Sequence, residues 1–257
     1  MSNKTISFDV TGKVALVTGA SYGLGIELAT TLAEYGADVA ILARSEDKLE
    51  NVAAQIRAKT GRRALVVACD ITSEQMVKDA VKKVLDEYGH LDILVNNSGT
   101  IEVNPPEEYT MEQWNKVIGV DLTGVFLMCR ETVAQYMKAH GGRIINISSV
   151  SAFGASGSAI AYNAAKAGVV HMTRSMAVAW APYGIYVNGI APGQMTNGEM
   201  SASTPAAVAE RIISKVPLKR LGAYGDLSGA LMFFASDACT YTVGETVLCD
   251  GGMAMVL

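Results

Sequence analysis

Val14-Ala15-Leu16-Val17-Thr18-Gly19-Ala20-Ser21-Tyr22-Gly23-Leu24-Gly25 is the stretch from which the fold can be read. An apolar run ending at Thr18 passes straight into a loop with three glycines, and a helical pattern follows over Gly23–Tyr35. Glycines here permit a tight turn and a close approach of backbone to a pyrophosphate. The helix start offers unpaired N–H groups and the positive end of the helix dipole to the same anion. Tight turns elsewhere use glycine for conformational reasons alone. It is the strand–loop–helix context that points to a dinucleotide.

Outward from this loop the pattern repeats. Strand-like runs occur at Val14–Thr18, Val39–Ala43, Ala64–Cys69, Ile93–Asn96, Arg143–Ser148, Tyr186–Ile190 and Thr246–Cys249. Several are apolar nearly throughout, as expected of strands covered on both faces of a parallel sheet. Helical stretches at Gly23–Tyr35, Ser45–Lys59 and Ser73–Tyr88 separate them. This alternation predicts βαβ units and an α/β, doubly wound, mostly parallel seven-stranded sheet with helices on both faces. With no internal linker or repeat, residues 1–257 are expected to form one dinucleotide-binding and catalytic domain. Glu112–Lys138 and Tyr162–Trp180 carry apolar residues on more than one face, including Trp114, Phe126 and Val178. One apolar stripe suffices to cover a sheet, so a subunit interface is expected there.

Composition narrows the function classes. Half of the residues are apolar, only 18% are charged, and the net charge is −4 with no basic stripe. Nucleic-acid binding, which needs clustered Lys and Arg, is not expected. Cys69, Cys129, Cys239 and Cys249 lack paired spacing, and His90, His140 and His171 form no ligand pattern. Free thiols in a reducing, cytoplasmic compartment and no metal site are the expectation. No apolar run approaches the ~18 residues of a membrane helix.

The glycine spacing is Gly-x-x-x-Gly-x-Gly rather than Gly-x-Gly-x-x-Gly, and in this it resembles the short-chain dehydrogenase/reductase family. Tyr162 and Lys166, four apart in a helical stretch, project from one helix face. A free tyrosine has a pKa of ~10, so about one in a thousand is ionised at neutral pH. A neighbouring ammonium favours the phenolate, allowing a proton to pass to or from a substrate oxygen as hydride moves. Most Tyr-x-x-x-Lys pairs are solvated helix faces; the neighbourhood sets this one apart. Ser149 stands thirteen residues before Tyr162, where the resemblance puts the catalytic serine, with Ser148 as the adjacent competitor.

The resemblance runs the length of the chain. Asn96-Asn97-Ser98-Gly99 is similar to the family's Asn-Asn-Ala-Gly element, and Leu248-Cys249-Asp250-Gly251-Gly252 to its terminal strand and turn. It implies cofactor contacts from Gly19, Ser21, Tyr22, Gly23, Leu24 and Gly25 in the loop, and from Asp70 and Ile71 after the third strand. It adds Asn97, Gly99, Tyr162 and Lys166, and Pro192, Gly193 and Thr196 beside the nicotinamide. Ala43 falls where NAD-selective members carry an acid, and Arg44 and Ser45 follow it. A guanidinium suits a 2′-phosphate, so NADP(H) is expected in preference to NAD(H). Tyr22 stands where many NADP-selective members carry a second basic residue. Asp121 replaces the asparagine that is usually the fourth catalytic residue. An ionised aspartate accepts hydrogen bonds but donates none, and it can pair with Lys166.

Phe8–Lys13 and Val216–Gly222 resemble both the gluconate 5-dehydrogenase-like branch and the 3-oxoacyl-carrier-protein reductases. A substrate-covering segment is expected at about 195–215, with Met195, Asn197, Glu199, Met200, Ser201, Ser203 and Thr204. It has no basic cluster for a phosphopantetheine arm or a strongly acidic substrate. The expectation is an oxidoreductase moving a hydride between NADP(H) and the carbonyl or secondary alcohol of a small polyol or sugar-acid type compound, with the missing basic cluster tilting it towards a polyhydroxy or neutral ketone. The alternative within the family is a 3-oxoacyl-carrier-protein reductase. A non-catalytic dinucleotide sensor on the same fold is the alternative from another class. The resemblance further implies a homotetramer.

Overall fold

In the computed structural model, which describes residues 6–196 and 206–256, seven parallel strands form one sheet in the order β3-β2-β1-β4-β5-β6-β7. The strands are β1 (Val14–Thr18), β2 (Asp38–Ala43), β3 (Ala64–Ala68), β4 (Ile93–Asn96), β5 (Gly142–Ile147), β6 (Ile185–Pro192) and β7 (Thr246–Cys249). All pairings are parallel. All seven expected strands are present; β1, β4 and β7 have the expected ends, and the other four differ by one or two residues. Thus β5 stops at Ile147, although the Ser148 N–H still bonds the Ile190 carbonyl.

Parallel packing explains why β1 is apolar at almost every position. Side chains alternate across the sheet, and Ala15 and Val17 join the core on one face while Val14 and Leu16 join the core on the other. The first face is covered by α1 (Leu24–Glu34) and α2 (Glu46–Thr60), with Leu28, Leu32, Leu49 and Ile56 buried. The second is covered by α3 (Glu74–Tyr88) and by the long helical segment from Met111 to His140. That segment contains α4 (Met111–Ile118) and α5 (Val125–Thr132). Next in the chain come α6 (Ile160–Trp180), α7 (Ala206–Lys215) and α8 (Ser228–Ala235). Among the described residues no helix is long and apolar enough to cross a membrane.

Helix ends follow local chemistry. Ser73 caps α3 by accepting the Met76 N–H, and left-handed Gly61 and Gly89 close α2 and α3. Thr110 and Gln113 form a capping box at the start of α4. The single helix expected over Glu112–Lys138 proves to be interrupted. Wide π turns occupy Gly119–Gly124 and Val133–Met137. A π turn inserts one residue and re-aims the side chains it carries. The first of these turns holds Asp121, fully buried.

The apolar residues assigned to an interface divide in two. Trp114 is half-buried within the chain, in a small cluster with Tyr109, Ala161, Ala165 and Tyr162. Phe126 and Val178 remain exposed, at 41% and 81%. Of the covering segment, α7 is described; Asn197, Glu199, Met200, Ser201, Ser203 and Thr204 lie outside the described residues.

Candidate active site

The order of the sheet reverses direction between β1 and β4, and α/β folds bind ligands at the carboxyl ends of strands on either side of such a switch. The loops following β1, β4, β5 and β6 meet at that edge. They line a cavity of about 510 Å³. Gly19, Tyr22, Gly23, Leu24, Asn97, Gly99, Ser149, Tyr162, Lys166, Pro192 and Gly193, all expected site residues, line it.

Close backbone approach holds the glycine loop in place. Gly19 and Gly23 adopt φ of +66° and +59°, a region that favours glycine. A Cβ on Gly25 would lie 2.2 Å from the Gly19 carbonyl oxygen, so only glycine lets α1 start this close under the loop. Asn97 ties the β4 loop to it, its amide donating to the carbonyls of Thr18 and Gly19 at 3.1 and 3.2 Å. Ser21, Gly25, Arg44, Ser45, Asp70, Ile71 and Thr196 do not line this cavity. Arg44 and Ser45 lie exposed where β2 leads into α2. Arg44 makes no hydrogen bond or ion pair among the described residues, and the Ser45 hydroxyl leaves the α2 N-terminus uncapped. Asp70 accepts both the N–H and the hydroxyl of Thr72 on one oxygen, leaving the other for a ligand. Thr196 is exposed, with its N–H on the Gly222 carbonyl.

The two serines separate cleanly. Ser148 donates its hydroxyl to the Lys166 carbonyl at 2.9 Å, which commits it to the α6 backbone. Ser149 accepts the Ser151 N–H at 3.1 Å and keeps its own proton for a ligand. Tyr162 and Lys166 lie in α6, one turn apart, with the ammonium 5.5 Å from the phenol ring centre. Lys166 is 3% exposed. Its Nζ donates to the Ile147 carbonyl at 3.2 Å and stands 3.2 Å from Asp121 Oδ2. Burial works against the ammonium, but the Asp121 charge, then Tyr162, outweigh it and hold Lys166 above the usual lysine value. Burial pushes the Asp121 carboxyl above the usual carboxylate range, against the opposing pull of Lys166 and the Thr100 N–H. That N–H donates to Asp121 Oδ1 at 2.7 Å.

Sequence reasoning missed Ser151, Gln194 and Met253, which also line the cavity. Met253 arrives through the tail, where Asp250 accepts the N–H groups of Gly252 and Ala254 at 2.9 and 2.6 Å and curls the chain back. A shared aspartate–glycine tail gave a hint of the turn, but nothing local marks the methionine. Gln194 follows the Pro192-Gly193 element directly, and that adjacency was the available signal.

The chain matches the short chain dehydrogenase family model over residues 13–208. It is 37% identical to the 3-oxoacyl-[acyl-carrier-protein] reductase FabG of Staphylococcus epidermidis, over 95% of this chain and 99% of that one. It is 36% identical to the 2-dehydro-3-deoxy-D-gluconate 5-dehydrogenase of Dickeya dadantii, over 96% and 97%. Among solved structures, it superposes on a gluconate 5-dehydrogenase from Burkholderia cenocepacia, in complex with NADP and tartrate, with a TM-score of 0.92. That match is 34% identical and covers 98% of this chain and 99% of the other. The protein therefore belongs to the short-chain dehydrogenase/reductase family and is an oxidoreductase acting on CH–OH or C=O groups.

Proposed function

We propose that the chain is an NADP(H)-dependent reductase or dehydrogenase of a small polyhydroxy carbonyl compound, working as one catalytic unit. The observation that carries this reading is the convergence of a proton-bearing Ser149, Tyr162 and an ion-paired Lys166 on one cavity beside the glycine loop. Bound NADP(H) would supply or accept the hydride. Tyr162 gives the substrate oxygen its proton in reduction and takes it back in oxidation. Ser149 donates a hydrogen bond to that oxygen. Lys166 sets positive charge beneath the tyrosine, and Asp121 fixes the lysine.

The residues fit the cofactor's demands. Gly19, Gly23 and Gly25 form a loop that a Cβ at position 25 would break. Arg44, exposed and without a partner among the described residues, and the free hydroxyl of Ser45 suit a 2′-phosphate at the start of α2. The solved relative with bound NADP supports the same choice. Gln194 and Ser151 carry side-chain polar groups without partners among the described residues, suited to substrate hydroxyls.

The Staphylococcus relative favours a second reading, a 3-oxoacyl-carrier-protein reductase. Lys215 and Lys219 line an open cleft of about 800 Å³, although the Lys219 ammonium is already bonded to the Ser214 carbonyl. NADPH and NADH oxidation with small neutral ketones, hydroxyketones and acetoacetyl-coenzyme A tests both. Turnover of the small ketones with NADPH supports the first reading; exclusive turnover of the thioester supports the second. Cytoplasmic location and a homotetramer complete the proposal, supported by the four free cysteines and by the exposed Phe126 and Val178.

A further inference from the structure

Among the described residues, Lys166 is the one side chain with a full formal charge that lines the cavity. Its charge is already answered. Asp121 lies directly behind the wall, fully buried, with Oδ2 3.2 Å from the ammonium and no hydrogen bond to that oxygen from elsewhere. Gly99 is what lets the pair approach the cavity. A Cβ there would lie 3.0 Å from Asp121 Oδ2 and 3.5 Å from Lys166 Nζ. An asparagine at 121 would leave the lysine charge uncancelled.

A substrate carboxylate entering this cavity would lose water and find, among the described residues that line it, no cation but Lys166, whose charge Asp121 already neutralises. An uncharged hydroxyketone would instead meet the hydroxyls of Ser149, Tyr162 and Ser151 and the amide of Gln194. We propose that Asp121, by neutralising Lys166, makes the site select uncharged carbonyl compounds over carboxylate-bearing ones of the same size. This rests on the reductase reading above and adds the substrate's charge to it. Asp121 acts through Lys166 and is a positioning residue here.

Two matched pairs test the inference: dihydroxyacetone against hydroxypyruvate, and methyl acetoacetate against acetoacetate. Reduction by NADPH is followed for the wild type and for Asp121→Asn. The wild type should use the neutral member of each pair about tenfold better in kcat/KM, mainly through KM. In Asp121→Asn the discrimination should shrink by about tenfold, the scale of one poorly screened charge at close range. Carboxylates used as well as their neutral partners by the wild type, or discrimination unchanged in the variant, would overturn the inference while leaving the reductase reading intact. If the variant does not fold, the wild-type comparison stands alone. If none of the four is reduced, the reductase reading of such carbonyls fails, and binding decides the charge question. Calorimetric titration of the NADPH-loaded protein should then show threitol binding more tightly than tartrate, its dicarboxylate counterpart. Equal or tighter tartrate binding, or no binding of either, overturns the inference.

Discussion

Lys166 is buried, yet its ammonium has a carbonyl, a carboxylate and an aromatic ring around it. A lysine so enclosed is an expensive residue to keep unless its charge is used. Lys166→Ala should therefore do more than lower stability. It should cripple turnover and leave Asp121 as an unpaired buried acid, and a titration of cofactor fluorescence should show weakened NADPH binding. A variant that lost only stability would make the lysine structural. Arg44 is the opposite case, exposed and unengaged among the described residues. A charge-assisted hydrogen bond contributes ~1.5–3 kcal/mol, and each 1.4 kcal/mol is about tenfold in affinity. Arg44→Ala should raise the Michaelis constant for NADPH by roughly 10- to 100-fold and leave that for NADH little changed. Equal use of NADH by the unmodified protein would contradict the assignment.

At the scale of elements, the glycines divide into those that the site requires and those that it does not. Gly25 has the Gly19 carbonyl oxygen 2.2 Å from where a Cβ would be, so Gly25→Ala must shift backbone in the loop itself. It should lower both cofactor affinity and the melting temperature. Gly229 lies in α8 with open space around it, and Gly229→Ala should stabilise by about 0.5–1 kcal/mol, read from thermal unfolding. Burial likewise pushes the thiols of Cys69 and Cys129 up to about 11 and about 12. Both should resist alkylation in the native protein at neutral pH and react after unfolding; rapid native labelling would contradict their placement. The strands and the glycine loop were legible because buried parallel strands and anion-binding turns have residue signatures that lie close together in sequence. The π turn at Gly119–Gly124 was not, since its residues fit a regular helix equally well and only packing against α6 distinguishes the two. Ser149 was singled out over Ser148 by the family resemblance alone, because the physical reason, that the Ser148 hydroxyl is committed to the Lys166 carbonyl, belongs to the tertiary structure. Met253 depends on a tail turn meeting a cavity built from residues far away in the chain.

Over the whole molecule, the sheet gathers four loops at one edge, whereas the long helical segments leave apolar side chains outside. Trp114 packs against its own chain, so Phe126→Glu is the sharper probe of assembly. The wild type should scatter light as a tetramer at micromolar concentration, and this variant as a smaller species; a stable wild-type monomer would remove the interface from the account. The site itself depends on one hydroxyl, that of Tyr162. The decisive measurement is NADPH oxidation with the neutral ketone that the wild type reduces best, repeated with Tyr162→Phe at equal cofactor saturation. Tyr162→Phe should fold and bind NADPH, with turnover lower by the ~10²–10⁴-fold typical of losing a general acid. Turnover near that of the wild type would contradict it.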